Sequence, residues 1–160
     1  MHRTRVARLV IAFVVLLSCV APLTACQKAA APAKPIIIGM VAPMTGSMAD
    51  YGTLSERGIR LAMEEINAAG GINGRPLDLR ICDDKGDPSE AAMCAQRMVN
   101  DPEVVINLGH INSSCTLAGG PIYEKGNLTS MTFNSTNPLI TEKGWNRIFR
   151  STPHDGMQGP

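Results

Sequence analysis

The segment Val105–Thr116 (VINLGHINSSCT) carries the chemically most informative residues of this 160-residue chain. An apolar run leads into Gly109, and Ser113 and Ser114 follow at the predicted start of a helix. Backbone N–H groups at a helix N-terminus lack intrahelical partners and carry partial positive charge. Together with a serine hydroxyl, they suit a carboxylate ligand. Serine is also a preferred N-cap residue, and taken alone this segment fits a capping role at least as well.

Other reactive residue types form no catalytic or metal-binding pattern in the sequence. It contains no G-x-S-x-G, P-loop, G-x-G-x-x-G or H-E-x-x-H motif. The three histidines are scattered, and the cysteine spacing supports no zinc site. The Asp83-Asp84 pair would suit acid–base or metal chemistry, but we interpret it as part of a solvated loop between a strand and a helix. We therefore expect no enzymatic activity, no metal and no cofactor.

Composition restricts the classes of partner. The chain is 44% hydrophobic and 18% charged, which is typical of a globular protein with a core. Its length allows one domain or a fragment of a larger protein. The formal net charge is only +1, and the basic residues are not clustered outside the first eight positions. We therefore expect no nucleic-acid partner.

Residues 1–25 have the pattern of a lipoprotein signal peptide. The basic segment Met1–Arg8 precedes the apolar segment Leu9–Val20, which falls short of the about 20 residues of a membrane-spanning helix. The sequence Leu23-Thr24-Ala25-Cys26 then resembles a bacterial lipobox, which implies cleavage before Cys26 and lipid attachment to that residue. A short membrane anchor or a core helix is the alternative. Residues 26–35 are then the lipidated cysteine and a flexible, proline-containing linker.

From residue 36 onward, strand and helix patterns alternate. An apolar run without alternation favours a strand buried on both faces, and Asp87-Pro88 with Glu90 has the pattern of a helix start. We expect Pro121 to kink its helix or remove a hydrogen bond. The predicted strands are Ile36–Ala42, Leu77–Cys82, Val104–Leu108, Thr129–Phe133 and Arg147–Ser151, and the predicted helices are Thr53–Ala69, residues 88–100 and Ser114–Lys125. This order predicts an α/β fold: a parallel sheet flanked by helices on both faces.

Segments in this order resemble the N-terminal half of a type I periplasmic binding protein. The most similar group comprises the substrate-binding proteins of branched-chain amino acid ABC transporters. The segments are Ile38–Gly52, Gly58–Pro76, Asp83–Pro88, Gly109–Thr116, Ser135–Pro138, Thr141–Gly144 and Phe149–Pro160. The resemblance implies that residues 36–160 are the amino-terminal lobe of a protein whose two lobes close on an amino acid. Because the second lobe of the family is missing after Pro160, we expect a truncated, incomplete lobe.

The resemblance also implies a set of ligand-binding residues. The amide and hydroxyl of Ser113 would hold the ligand carboxylate, and Thr136 would share the polar ends of the zwitterion. Asn134 matches a position whose backbone carbonyl receives the ammonium group. Tyr51 would pack over the ligand, and Asn112 lines the same loop as Ser113. Alternatively, Tyr51 is an ordinary surface aromatic, and Asn134 and Thr136 only form a turn.

Some members of the family have a disulfide between two positions that the resemblance matches to Gly86 and Asn112. Neither residue is a cysteine, so that bond is absent here. We expect Cys82 to pair with Cys94, because a strand end and the first turns of the next helix can be close. The alternative is three reduced, buried thiols at Cys82, Cys94 and Cys115.

The function expected from this resemblance is capture of a branched-chain-like amino acid or a similar small solute for an ABC importer made of a permease and an ATPase complex. The protein would reside in the periplasm or at the cell surface, bound to the membrane through lipidated Cys26. Two alternatives are open: a ligand sensor of the same fold, recognising an amide or an amino acid, and a non-functional remnant.

Overall fold

A computed structural model describes residues 33–159. The predicted signal peptide, Cys26 and most of the linker lie outside the described residues. The strands are β1 (Ile36–Ala42), β2 (Leu77–Asp83), β3 (Val104–Gly109), β4 (Ser130–Thr132) and β5 (Ile148–Arg150). The helices are α1 (Ala49–Ala68), α2 (Pro88–Asn100), α3 (Ser113–Lys125) and α4 (Leu139–Glu142), followed by a 3₁₀ turn at Asp155–Met157. No helix within residues 33–159 is long and apolar enough to cross a membrane.

All five strands are parallel and form one sheet in the order β2-β1-β3-β4-β5. Strand β2 therefore lies on one side of β1, and β3, β4 and β5 follow in order on the other side. In such a doubly wound sheet, ligands bind outside the carboxyl ends of the strands, at the switch point between the two central strands. Here that point lies between β1 and β3. The predicted α/β class and parallel sheet are confirmed.

Helices cover both faces of the sheet, but unequally. On one face, α2, α3 and α4 contribute Ala95, Tyr123 and Ile140 to the larger buried cluster. On the other face, α1 packs Ile59 against a smaller cluster that contains Met40. A groove of about 270 Å³ with an apolar lining lies beside α1. Several apolar side chains of this helix, among them Leu61 and Ile66, are therefore exposed within the described residues.

One local prediction is wrong in an instructive way, and the expectation for Pro121 is met in one of its two alternatives. Helix α1 begins at Ala49 rather than Thr53, because Gly52 does not interrupt it: an added Cβ there would lie 2.1 Å from the Pro43 carbonyl oxygen, so this glycine permits close packing. Helix α3 continues through Pro121 to Lys125 without a break. Pro121 is exposed, and it removes one N–H donor from the helix.

Candidate ligand-binding site at the carboxyl edge of the sheet

The loop between β3 and α3 holds the candidate carboxylate-binding residues. β3 ends at Gly109, where φ is +118° and an added Cβ would lie 2.0 Å from the Val41 carbonyl oxygen, so only glycine fits. Asn112 occupies the N-cap position, and Ser113 is the first helical residue. The Ser113 hydroxyl oxygen accepts a hydrogen bond of 3.2 Å from the Asn137 backbone N–H. Ser113 therefore does not cap α3, and its side chain joins two neighbouring loops.

The loop after β4 has one buried residue, Ser135, between two more accessible ones, Asn134 and Thr136. Ser135 is buried, and its Oγ lies 3.1 Å from the Ile111 carbonyl oxygen and 2.7 Å from Thr116 Oγ1. Asn134, on one side of it, is exposed, and Thr136, on the other, is half-buried. This loop is thus fixed against the β3–α3 loop through Ser135, whose role no local sequence pattern indicates.

Asp83, at the end of β2, holds the loop between β1 and α1. Its carboxylate accepts hydrogen bonds from the backbone N–H groups of Met44 (2.8 Å) and Lys85 (2.9 Å), and from the Thr45 hydroxyl. Partial burial raises the pKa of the Asp83 carboxyl, but these hydrogen bonds outweigh it and hold the pKa below its ordinary value. Tyr51 follows this loop in the first turn of α1, with 54% of its surface exposed.

Asp84 corrects the interpretation of the aspartate pair as a solvated loop. Its side chain is fully buried, and Oδ2 lies 2.7 Å from His110 Nδ1. The other ring nitrogen of His110, Nε2, lies 3.1 Å from the hydroxyl of buried Tyr123. Asp84 lies one residue beyond the end of β2, and the alternation of Leu77, Leu79 and Ile81 in the strand does not mark it for burial.

Three cysteines lie near this loop: two form a disulfide, and the third is a buried free thiol. Cys82 and Cys94 form a disulfide with their Cα atoms 5.7 Å apart, which ties the end of β2 to α2. Cys115 is buried with a free thiol. Burial raises its pKa to about 11, and the nearby Asp84 adds to the shift, so the thiol stays protonated and unreactive at neutral pH. Residues 33–159 contain no group of three ligating side chains that could hold a metal ion.

The carboxyl edge therefore gathers several of the predicted residues. Asn112 and Ser113 begin α3, and the loop of Asn134 and Thr136 lies against them through Asn137 and Ser135. The Asn112 Oδ1 atom is buried and has no hydrogen-bond partner among the described residues. Tyr51 lies at the same edge, and its contact with a ligand remains a prediction. The donors and acceptors of this predicted set are uncharged, which suits a ligand without net charge.

The sequence profile of the periplasmic binding proteins matches residues 35–160. The chain belongs to the periplasmic binding protein family. It is 41% identical over 128 residues to the leucine-, isoleucine-, valine-, threonine- and alanine-binding protein of Pseudomonas aeruginosa. That match covers 80% of this chain and 34% of the relative. The resemblance found in the sequence is confirmed.

Solved structures agree with this assignment. The branched-chain amino acid transporter substrate-binding protein of Streptococcus pneumoniae, in complex with isoleucine, superimposes with a TM-score of 0.72 at 34% identity, over 76% of this chain and 35% of that one. A leucine-binding protein of Thermotoga maritima gives 0.70 at 31% identity, over 77% and 34%. The chain thus spans about a third of the length of these relatives, and its fold is that of their amino-terminal lobe. The family is one of solute-binding proteins and implies an extracytoplasmic location.

Proposed function

We propose that this chain supplies the amino-terminal lobe of a binding protein that captures a branched-chain-like amino acid for an ABC importer. The observation that carries the proposal is the position of Ser113 at the start of the 13-residue helix α3, with its hydroxyl bonded to the β4–α4 loop. The names of the relatives support the ligand class, because they bind leucine, isoleucine and valine. The permease and ATPase of the importer would be the protein partners.

In this proposal, the ligand lies across the carboxyl edge with its two charged groups on different loops. Its carboxylate meets the free N–H groups of α3 and the hydroxyl of Ser113, where the helix dipole favours negative charge. Its ammonium group meets the backbone carbonyl of Asn134, and Thr136 contacts both polar ends. Tyr51 covers the ligand, and Asn112 lines the floor. Full affinity requires the second lobe of the whole protein, since closure of the two lobes excludes water.

Calorimetric titration of the full-length protein with L-leucine, L-isoleucine and L-valine tests this proposal. Ser113→Ala removes a hydroxyl that we expect to bond a charged group, so the dissociation constant should rise roughly tenfold or more. Ser114→Ala is the matched control, since it removes an exposed hydroxyl from the next residue of the same helix. We expect Ser114→Ala to bind as the wild type does. No heat of binding from any of the three amino acids, or equal loss in both variants, contradicts the proposal.

Lipid attachment at Cys26 is a separate part of the proposal. Acyl chains on this cysteine would tether a folded lobe to the membrane, with residues 27–35 as the spacer. The intact mass of the mature protein from its own cells should equal that of a chain that begins at Cys26 and carries the lipid. Cys26→Ser should release the protein from the membrane fraction. A mature mass without acyl chains would remove the anchor from the proposal and leave the ligand site untouched.

A further inference from the structure

We propose that Asp84, His110 and Tyr123 are positioning residues for ligand binding: a buried hydrogen-bonded chain that fixes the β3–α3 and β4–α4 loops beneath the carboxyl edge. The inference deepens the proposed function and rests on it for the ligand, but not for the loop geometry. None of the three side chains touches the proposed ligand position directly. They act through the backbone of His110 and the residues that follow it.

The three side chains satisfy one another in one protonation pattern. With a neutral imidazole, Nδ1–H donates to Asp84 Oδ2 at 2.7 Å, and Nε2 accepts from the Tyr123 hydroxyl at 3.1 Å. The other carboxylate oxygen of Asp84 accepts from the Gly86 backbone N–H at 3.0 Å. A second proton on the ring would leave the Tyr123 O–H without its acceptor. In the Nδ1–H tautomer, both ring nitrogens of His110 therefore have partners.

Helix α3 is shaped around this ring. Gly119 lies against it, and an added Cβ at that position would come within 2.7 Å of His110 Nε2. His110 and Asp84 have no exposed surface, and Tyr123 is 1% exposed. In an open cleft, side chains with this order of donors and acceptors would relay protons. Here they are buried and out of reach of substrate-sized molecules, so we assign them the positioning of the β3–α3 loop.

The backbone of His110 transmits that placement to both candidate loops. Its carbonyl oxygen accepts from Thr132 Oγ1 at 2.7 Å, and Thr132 Oγ1 in turn accepts from the Ser135 backbone N–H at 3.2 Å. The Thr116 hydroxyl donates to the Asn112 carbonyl oxygen at 3.2 Å, so the Ser135 hydroxyl is the donor in its 2.7 Å contact with Thr116 Oγ1. The ring orientation set by Asp84 and Tyr123 thus reaches the residue before Ser113 through a continuous set of hydrogen bonds. All but the last of these bonds are buried, and buried hydrogen bonds act cooperatively in a low-dielectric interior.

Tyr123→Phe in the full-length protein is the test variant, because it removes one hydroxyl and keeps the ring. We expect changed nitrogen chemical shifts of the His110 ring and changed backbone amide shifts at residues 110–114 and 134–137 in nuclear magnetic resonance spectra. The dissociation constant for L-leucine should rise roughly tenfold. Asp84→Asn, which retains one acceptor for Nδ1–H, should change the same amides and serves if Tyr123→Phe fails to fold.

Asn67→Ala is the matched control. Asn67 makes two hydrogen bonds to the Leu77 backbone at the opposite edge of the sheet. This variant should lose stability without altering the loop amides or the leucine affinity. Loop amides that stay unchanged in folded Tyr123→Phe and Asp84→Asn overturn the inference, as does an equal response to Asn67→Ala. If the wild type binds no leucine, the proposed function fails, while the amide shifts still decide whether the chain positions the loops.

Discussion

The two edges of the sheet use polar side chains in opposite ways. At the carboxyl edge, Asp84 and His110 form a pair with no exposed surface. At the amino edge, Lys34, Arg80, Asp101 and Glu103 form an exposed cluster, which we call the amino-edge cluster. In it, Arg80 contacts both acidic residues, and Lys34 Nζ lies 2.9 Å from Glu103 Oε1. The edge that carries the candidate ligand loops is therefore the one with a charged pair sealed from water, while the Asp83 bonds to Thr45 and Lys85 at the same edge are exposed.

This difference teaches where polar contacts determine loop conformation. Breaking a buried pair leaves an uncompensated polar group in the interior, whereas an exposed ion pair exchanges its partner for water. In the amino-edge cluster, hydrogen bonds from Lys34 and Arg80 hold the pKa of Glu103 below its ordinary value, and the bond to Asp101 raises that of Arg80. These shifts stand in open solvent and are screened by salt. The buried Asp84–His110 pair at the carboxyl edge should be insensitive to salt and intolerant of deletion.

His110→Ala should give the largest effect. It leaves the Asp84 carboxylate and the Tyr123 hydroxyl buried without their partner and opens a cavity against α3. We expect the free energy of unfolding to fall by about 3–5 kcal/mol, measured by urea denaturation at pH 7. His154→Ala is the control, since this half-buried histidine lies outside the network. A loss in His110→Ala no larger than that in His154→Ala would contradict the importance given to the buried pair.

The fold could be predicted from the sequence because each element carries a local pattern. Strand β1 occupies the predicted residues 36–42, and α2 begins where the Asp87 side chain accepts hydrogen bonds from the Ser89 and Glu90 N–H groups. The start of α1 could not be predicted from the sequence. A glycine such as Gly52 can end a helix, or it can lie within one and allow a neighbouring backbone, here that of Pro43, to pack closely, and the sequence does not distinguish the two cases.

The candidate site was predictable only in its surface part. The position of Ser113 follows from a strand that runs into a helix, which is a local pattern. The contacts beneath it join the loops that follow β2, β3 and β4 to each other and to α3, between residues 13 to 26 positions apart. Tyr123 and Ser135 have no local feature that marks them as partners of His110. Such contacts depend on the register of strands and the rotation of α3, which the sequence pattern leaves undetermined.

Asp83→Asn sharpens the comparison within the carboxyl edge. The folded-state pKa of Asp83 is depressed, so its contribution to stability is present above the unfolded value of about 3.9 and is lost as the pH falls through the folded value. We expect the variant to be less stable by about 1–2 kcal/mol at pH 7, with the difference shrinking below about pH 4. Urea titrations at several pH values measure it. Asp78→Asn, at an exposed position on the same strand, should give no such pH-dependent difference.

Arg80→Ala should have the smallest effect, because its partners in the amino-edge cluster remain solvated when it is removed. The Debye length falls from about 30 Å at 0.01 M salt to about 3 Å at 1 M, so any loss of stability should be measurable only at low salt and should vanish at high salt. The loss from His110→Ala should persist at both salt concentrations, since no ions reach the buried pair. Urea denaturation of both variants at 0.01 M and 1 M sodium chloride makes the comparison directly. The contrary result is that Arg80→Ala lowers the free energy of unfolding as much as His110→Ala does, at both salt concentrations. Exposure would then not distinguish the two edges, and the carboxyl-edge loops would not depend specially on the buried hydrogen bonds beneath them.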